Sequence, residues 1–341
     1  MCLSEEQCAV WRGGVPQMLT EQLKPGERFE YFRIDAFVIR TGMTTIYRAT
    51  DLRTGQPVAI KIPHPELECD PVFYSRFQRE MAIGQKLHHP GVVQMLDSSN
   101  MDQLCIVMEW IDGRFLREIL AINNRLPVER ATRVAMGICE ALEYIHSQGV
   151  VHRDLKPENI MVGHGDAIKL IDFGIAAGEG MRRLTFSKLS NAIGTPDYIS
   201  PEQIKRKHTD GRSDIYALGV ILFEMLTGET PFDGPNPFAV MNDRLVNDPP
   251  SARERNSEIS PQLQEILYRA MERDPQDRFA GAREFAEALA HPECVELIDR
   301  AARKERKPAR LPFLKRILSY TMLLVLPLTI FVLIFLALHL K

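Results

Sequence analysis

The 341-residue sequence has no CxxC pair, and its six cysteines, Cys2, Cys8, Cys69, Cys105, Cys139 and Cys294, are scattered. That scatter excludes a zinc ribbon or a disulfide scaffold and is expected of reduced thiols in the cytosol. The adjacent His88 and His89 lead straight into Pro90-Gly91, which makes a turn rather than half a metal site. A basic excess is also missing: the formal net charge is −3, which argues against a general nucleic-acid binder. No repeat period is present, and no basic-then-apolar signal opens the chain. What remains is an ordinary folded composition, 45% apolar and 26% charged, long enough for one large domain or two lobes.

One stretch lacks charge altogether. Residues 317–340, ILSYTMLLVLPLTIFVLIFLALHL, contain no Asp, Glu, Lys or Arg. As a helix they would run roughly 36 Å, enough for the ~30 Å hydrocarbon layer, with Pro327 accommodated as a kink. Ahead of them, residues 300–316 hold eight Lys/Arg and one Glu, a cluster that places its side in the cytoplasm and attracts anionic lipid. Only Lys341 follows. The expectation is a C-terminal membrane anchor with all chemistry on the cytosolic side.

Residues 1–28 hold no periodic element and form a leader. From residue 29 to about 111, short β-branched and aromatic runs (FRIDAFVIR, TTIYRATD, QPVAIKIP, LCIVMEW) alternate with turn signals. DLRTGQ (51–56) joins two of them as a hairpin, and PVFYSRFQREMAIGQKL predicts one intervening helix that ends at HHPG. From about 112 to 291 the pattern is mostly helical. RATRVAMGICEALEYIHSQG has apolar positions at three-to-four spacing, and SDIYALGVILFEMLTG is apolar almost all round, as a central buried helix would be. The expected class is α+β: a small β-rich lobe, a larger helical lobe and a cleft between them. A basic linker (292–316) and a transmembrane helix (317–340) complete the chain.

The sharpest chemical signal is HRDLKPEN (152–159) followed by IDFG (171–174). Phosphoryl transfer needs a divalent cation on the phosphates, a carboxylate for the attacking hydroxyl, and positive charge where negative charge gathers. Asp154 can accept the hydroxyl proton, Lys156 can reach the transferred phosphate, and Asn159 and Asp172 are hard oxygen ligands suited to Mg²⁺. These runs resemble the serine/threonine protein kinases of the eukaryotic type, including the membrane-attached bacterial ones, over about residues 30–290. The resemblance implies a bilobal protein-kinase fold over 29–291, with the small lobe at about 29–111 and the large lobe at about 112–291. It implies that Lys61, in VAIK, holds the α- and β-phosphates of ATP and that Glu80 pairs with it. It further implies Mg²⁺ or Mn²⁺ as the divalent ion. GTPDYISPE (194–202) resembles the end of an activation segment that serves as a platform for a peptide substrate, and Asp214 and Arg278 match two structural positions, Arg278 as the partner of Glu202. Lys156 and Thr195 match serine/threonine rather than tyrosine kinases, so protein Ser/Thr hydroxyls are the expected acceptors. Arg153, beside Asp154, implies control by phosphorylation, for which Thr185, Ser187 and Ser190 are the candidates. Nucleic acid is not an expected partner; homodimerisation is compatible with the resemblance.

Glycine is scarce where the resemblance would place three of them. VIRTGMTTIYRA (38–49) has only Gly42. Alignment on Ile46-Tyr47 puts Ile39, Thr41 and Thr44 in the glycine places, with Gly42 and Met43 between. Side chains there narrow the backbone and imply weaker clamping of the β- and γ-phosphates. Ile46 and Met161 would sandwich adenine beside Ala59, and Glu109 and Ile111, after Met108, would offer the hinge backbone. The competing expectation is a pseudokinase acting as a membrane-tethered scaffold, supported by this loop alone; a small-molecule phosphotransferase is disfavoured by the complete activation segment.

Overall fold

The computed structural model describes residues 22–68, 70–98, 101, 103–172 and 196–299. Residues 1–21 of the expected leader (1–28), Cys69, Phe173, Thr185, Ser187, Ser190, Thr195, the basic residues 300–316 and the apolar stretch 317–340 lie outside the described residues. Among the described residues no helix is long and apolar enough to cross a membrane.

Alternation of apolar residues builds the small lobe. Strands β1 (Arg28–Phe29), β2 (Phe32–Arg40), β3 (Thr44–Asp51), β4 (Pro57–Pro63), β5 (Met95–Leu96) and β6 (Ile106–Glu109) form one antiparallel sheet in the order β1-β2-β3-β4-β6-β5. In β4, Val58, Ile60 and Ile62 join Phe32, Ile34 and Tyr47 in a cluster on one face. The two-residue period sends Ala59 and Lys61 to the other face, where Ala59 joins the core shared with the helices. Ile46 is paired directly with Lys61 across β3–β4 and so shares that face.

Two helices follow β4, the single-turn α1 (Pro65–Glu68) and α2 (Pro71–Gly84). Asp70 caps α2 by accepting from the amides of Val72 (2.8 Å) and Phe73 (3.4 Å), with Pro71 in the first turn. The sequence pattern carries this helix to Leu87, but regular structure stops at Gly84. A Cβ there would run into the Met95 side chain, so any other residue would require Met95 to shift. The bonds from Lys86 to Ile83 and from Leu87 to Gly84 then tighten the last turn.

The large lobe comprises α3 (Leu116–Asn123), α4 (Val128–Ser147), α5 (Pro201–Ile204), α6 (Arg212–Thr227), α7 (Pro237–Val246), α8 (Ala252–Arg255), α9 (Pro261–Ala270) and α10 (Ala282–Ala290). Every residue of α6 from Ser213 to Thr227 is buried, as its nearly all-round apolar pattern predicts, and it ends on Gly228 in the left-handed region (φ 85°). Between the helices, β7 (Gly113–Phe115), β8 (Ile160–Gly163) and β9 (Ile168–Leu170) form a three-stranded sheet that the mostly helical patterning does not announce. Strands of three or four residues are too short to display alternation. Its position is decisive, because the chain leaves β9 toward Asp172 and enters β8 directly from Asn159.

A buried ion pair joins the lobe's far end. Arg278 donates to both Glu202 oxygens at 2.8 and 2.7 Å, Ser213 donates to Glu202 at 2.7 Å, and the guanidinium lies 4.8 Å from the Tyr216 ring centroid. Burial works to raise the Glu202 pKa, but Arg278 outweighs it and holds the carboxyl below the ordinary glutamate range. Its contribution to stability is therefore present above the unfolded glutamate pKa, about 4.3, and is lost as pH falls through and below that value. Arg278→Leu strands the carboxylate and is expected to cost about 3–5 kcal/mol in urea denaturation at pH 7. In that variant the Glu202 component should reverse sign, with stability improving on acidification; an unaltered pH slope would refute the assignment.

Candidate active site

Three elements deliver the central charges. Lys61 Nζ, on β4, lies 3.0 Å from Glu80 Oε1 on α2 and 2.7 Å from Asp172 Oδ1 just beyond β9. Lys61 is 9% exposed. Burial alone would lower its pKa, but the carboxylates of Asp172 and Glu80 more than reverse that and raise it. Burial likewise works to raise Asp172, yet the Lys61 cation holds it below the usual carboxylate range. Glu80 is the less favoured partner and its pKa is raised by burial. At neutral pH Lys61 is thus a fixed cation and Asp172 a fixed anion.

Beside them lies the turn 152–159. Lys156 Nζ is 2.8 Å from Asp154 Oδ2, and Asn159 Nδ2 donates to the Asp154 carbonyl (2.8 Å) and to Asp154 Oδ2 (3.1 Å). Asp154 remains half exposed, with a side-chain exposure of 52%. The turn is held from α6: Asp214 accepts from the amides of His152 (2.9 Å) and Arg153 (2.8 Å), and lies 2.8 Å from His146 Nε2. Gln203, after the segment 196–200, donates to the Arg153 carbonyl at 2.8 Å. Arg153 (φ 64°) and Asp172 (φ 50°) both adopt the left-handed region that non-glycine residues avoid. Such conformations persist where the surroundings over-determine them, and here Asp214 and Lys61 supply the restraint.

The donors suit a hard divalent cation. With its Nδ2 committed to Asp154, Asn159 has its carbonyl oxygen as acceptor, and Asp172 is an ionised carboxylate. Mg²⁺ takes one or two such ligands and completes its octahedron with phosphate oxygens and water. Among the described residues no group of three or more His, Cys, Asp and Glu gathers as a metal site.

The remaining predicted site residues fall on the same side of the sheet or at its hinge. Ile46 and Ala59 share the Lys61 face of β3–β4, Met161 lies on β8 opposite Phe115, and Ile111 follows β6. Glu109 ends β6, where Gln94 donates its amide to the carboxylate at 2.9 Å and Lys169 of β9 forms an ion pair with it. That Lys169 contact, which ties the hinge to the large lobe, was not expected from the sequence; Lys169 gave no signal beyond lying three residues before Asp172. In the glycine-poor loop, Ile39 is paired with Ile46 on β2 and is 45% exposed. Thr41 closes the turn: its hydroxyl accepts from the Thr44 amide (3.0 Å) and the Met43 amide (3.3 Å) and lies 3.2 Å from the Thr44 hydroxyl. A Cβ on Gly42 would meet open space, so no crowding requires glycine at the tip. Cys105 and Cys139 stand apart from this chemistry, buried, with burial pushing the Cys105 thiol up to about 12.

These features define a protein kinase, and residues 40–293 match the protein kinase domain family; the chain belongs to it. A probable serine/threonine-protein kinase of Streptomyces coelicolor is 38% identical over 272 residues, covering 78% of this chain and 40% of that protein. The serine/threonine-protein kinase PknB of Mycolicibacterium smegmatis is 35% identical over 275 residues, 79% of this chain and 43% of that protein. The crystal structure of the Mycobacterium tuberculosis PknI kinase domain superposes with a TM-score of 0.63 at 28% identity, covering 80% of this chain and 100% of that one. The chain thus spans about two fifths of the length of these curated relatives.

Asp214 tests how the site is held. Asp214→Ala removes the acceptor of two buried amides, and is expected to cost about 2–4 kcal/mol in urea denaturation. Amide exchange at His152 and Arg153 should accelerate more than in the core of α4. Uniform acceleration across the lobe would show that Asp214 supports packing rather than this turn.

Proposed function

We propose that the protein is an ATP-dependent serine/threonine protein kinase. The observation that carries this is Lys61 paired at once with Glu80 and Asp172, beside a turn that holds Asp154, Lys156 and Asn159 together. In the reaction a Ser or Thr hydroxyl oxygen attacks the γ-phosphorus, the bond from that phosphorus to the β–γ bridging oxygen breaks, and ADP leaves. Asp154, half exposed and acceptor-only when ionised, takes the hydroxyl proton. Lys156, now 2.8 Å from Asp154, is within reach of the transferring phosphoryl group, where its charge offsets the negative charge that gathers. Lys61 holds the α- and β-phosphates, and Glu80 keeps its ammonium aimed. Asp172 and Asn159 would hold Mg²⁺, which when bound neutralises phosphate charge and aligns the triphosphate. Ile46, Ala59 and Met161 line the adenine site, and the Glu109–Ile111 backbone reads its edge.

Two further readings accompany the activity. Thr185, Ser187 and Ser190 are candidate autophosphorylation sites whose phosphate would pair with Arg153. Residues 317–340 are proposed as a membrane span with the kinase domain on the cytoplasmic side, on the strength of their charge-free length and the basic run before them. The hydroxyl-closed turn at Thr41 and Thr44 favours a second reading, a catalytically weak kinase-shaped scaffold.

The decisive measurement is label transfer from γ-labelled ATP to the detergent-purified full chain and to casein, with and without Mg²⁺. Divalent-dependent incorporation that Asp154→Asn lowers at least about a thousandfold is the expected outcome; none in the unaltered protein would leave only the scaffold. Peptide mapping of that material should place phosphate on residues 185–190. Thr41→Gly with Thr44→Gly should tighten ATP binding by calorimetry about three- to tenfold, or ~0.7–1.4 kcal/mol. Unchanged affinity would mean that the loop does not limit binding.

A further inference from the structure

Lys169 sits where three parts of the chain meet, and phosphoryl transfer as described above gives it no task. The two-residue period of β9 turns Ile168 and Leu170 into the core and Lys169 to the opposite face. From there its ammonium forms an ion pair with Oε1 of Glu109, the residue that ends β6, and lies 3.4 Å from the Val92 carbonyl oxygen. Glu109 is also bonded twice to Gln94: the Gln94 amide donates to Glu109 Oε1 (2.9 Å), and the Glu109 amide donates to the Gln94 carbonyl (3.0 Å). β9 in turn grips the residues just before Gln94. Val93 N–H donates to the Leu170 carbonyl (2.9 Å), and Leu170 N–H donates to the Gly91 carbonyl (2.8 Å). These bonds close a ring that runs from Lys169 through Glu109, Gln94 and Val93 to Leu170 and back along β9.

The ring joins the two ends of the nucleotide site. Glu109 opens the hinge whose backbone reads the adenine edge, and Lys169 precedes the metal ligand Asp172 by three residues, at most about 10 Å of chain. The next hinge residue is held to the small lobe, with the Trp110 ring centroid 4.9 Å from the guanidinium carbon of Arg48 on β3. Base and triphosphate are parts of one ligand, so the hinge and Asp172 must keep a fixed separation if both are to engage it at once. Such a separation is kept to a fraction of an ångström where supporting side chains lock it. The Lys169–Glu109 pair ties β9 straight to the hinge and is placed to do this.

We propose that Lys169 is a positioning residue for the nucleotide: by holding Glu109 it sets the distance between the hinge that takes the base and the end of β9 that takes the metal-bound phosphates. This rests on the kinase reading above. The Lys169 side chain is 23% exposed and that of Glu109 32%, so water screens the pair in part and its loss should change affinity severalfold rather than by orders of magnitude. The effect should also be selective, since a ligand that occupies one anchor alone is indifferent to the spacing of the two.

The test reads dissociation constants by calorimetry on the detergent-purified full chain, for adenosine and for the β,γ-imido analogue of ATP with and without Mg²⁺. Lys169→Met keeps the stem and removes the charge. It is expected to weaken the Mg²⁺-loaded analogue about five- to tenfold, while adenosine and the metal-free analogue stay within about twofold. Lys169→Arg keeps the charge and should stay within about twofold for all three. Glu109→Gln should reproduce the Lys169→Met pattern, and the double variant should be no weaker than either single one, as for two members of one pair. Equal weakening of adenosine overturns the proposal, because it marks a damaged hinge. So does unaltered binding of the Mg²⁺-loaded analogue, and so do additive losses in the double variant. If Lys169→Met fails to fold, Lys169→Gln takes its place, and failure of both makes the pair a purely structural one and refutes the proposal. An unaltered chain that binds none of the three ligands overturns the kinase reading itself, a failure seen before any substitution is made.

Discussion

A cation nearly cut off from water organises the small lobe. Lys61 cannot be buried alone, because a bare ammonium in a low-dielectric surrounding loses more hydration than packing returns. It is tolerated because two carboxylates come to it from different parts of the chain, Glu80 from α2 and Asp172 from beyond β9. Each carboxylate draws on a separate piece of architecture. Glu80 requires α2 to lie across the sheet, and Asp172 requires the three-stranded sheet to bring its last strand up to the first lobe. The pairing is stronger for being dry, since the same separation in water would be worth little.

The large lobe solves a related problem on the opposite side of the cleft. Its central helix α6 is buried throughout, yet it carries Asp214 and Glu224 inside that envelope. Neither is idle. Asp214 spends its oxygens on the amides of the turn that holds Asp154, and Glu224 spends its own on Tyr198 and Arg117. Buried acceptors on a helix that cannot shift make good fixed points, because the surrounding apolar packing resists motion and each unmet donor would be costly. The left-handed backbone at Arg153 is stable for that reason.

Much of the site was legible from local spacing. HRDLKPEN and IDFG place Asp154, Lys156, Asn159 and Asp172 within short runs, and Glu80 was expected beside Lys61, whereas Asp172 was expected as a metal ligand and its pairing with Lys61 came from the fold. The phosphate loop was legible as a departure, though its consequence was not: that Thr41 uses its hydroxyl to close the turn depends on a conformation no composition rule specifies. The Lys169–Glu109 and Arg117–Glu158 pairs were not legible, since their partners are 60 and 41 residues apart and each residue by itself is an ordinary surface charge.

By itself the sequence determined what depends on neighbours along the chain: the strand alternation that turns Val58, Ile60 and Ile62 one way and Lys61 the other, the capped start of α2, the apolar run of α6, and the order of chemical groups. Only the tertiary structure decided which of those groups meet. Glu80 and Asp172 are 92 residues apart, by subtraction of their numbers, yet share one ammonium. Periodicity is set by the geometry of one to four residues, whereas the pairing of distant charges is set by how whole elements pack once water has been removed from between them.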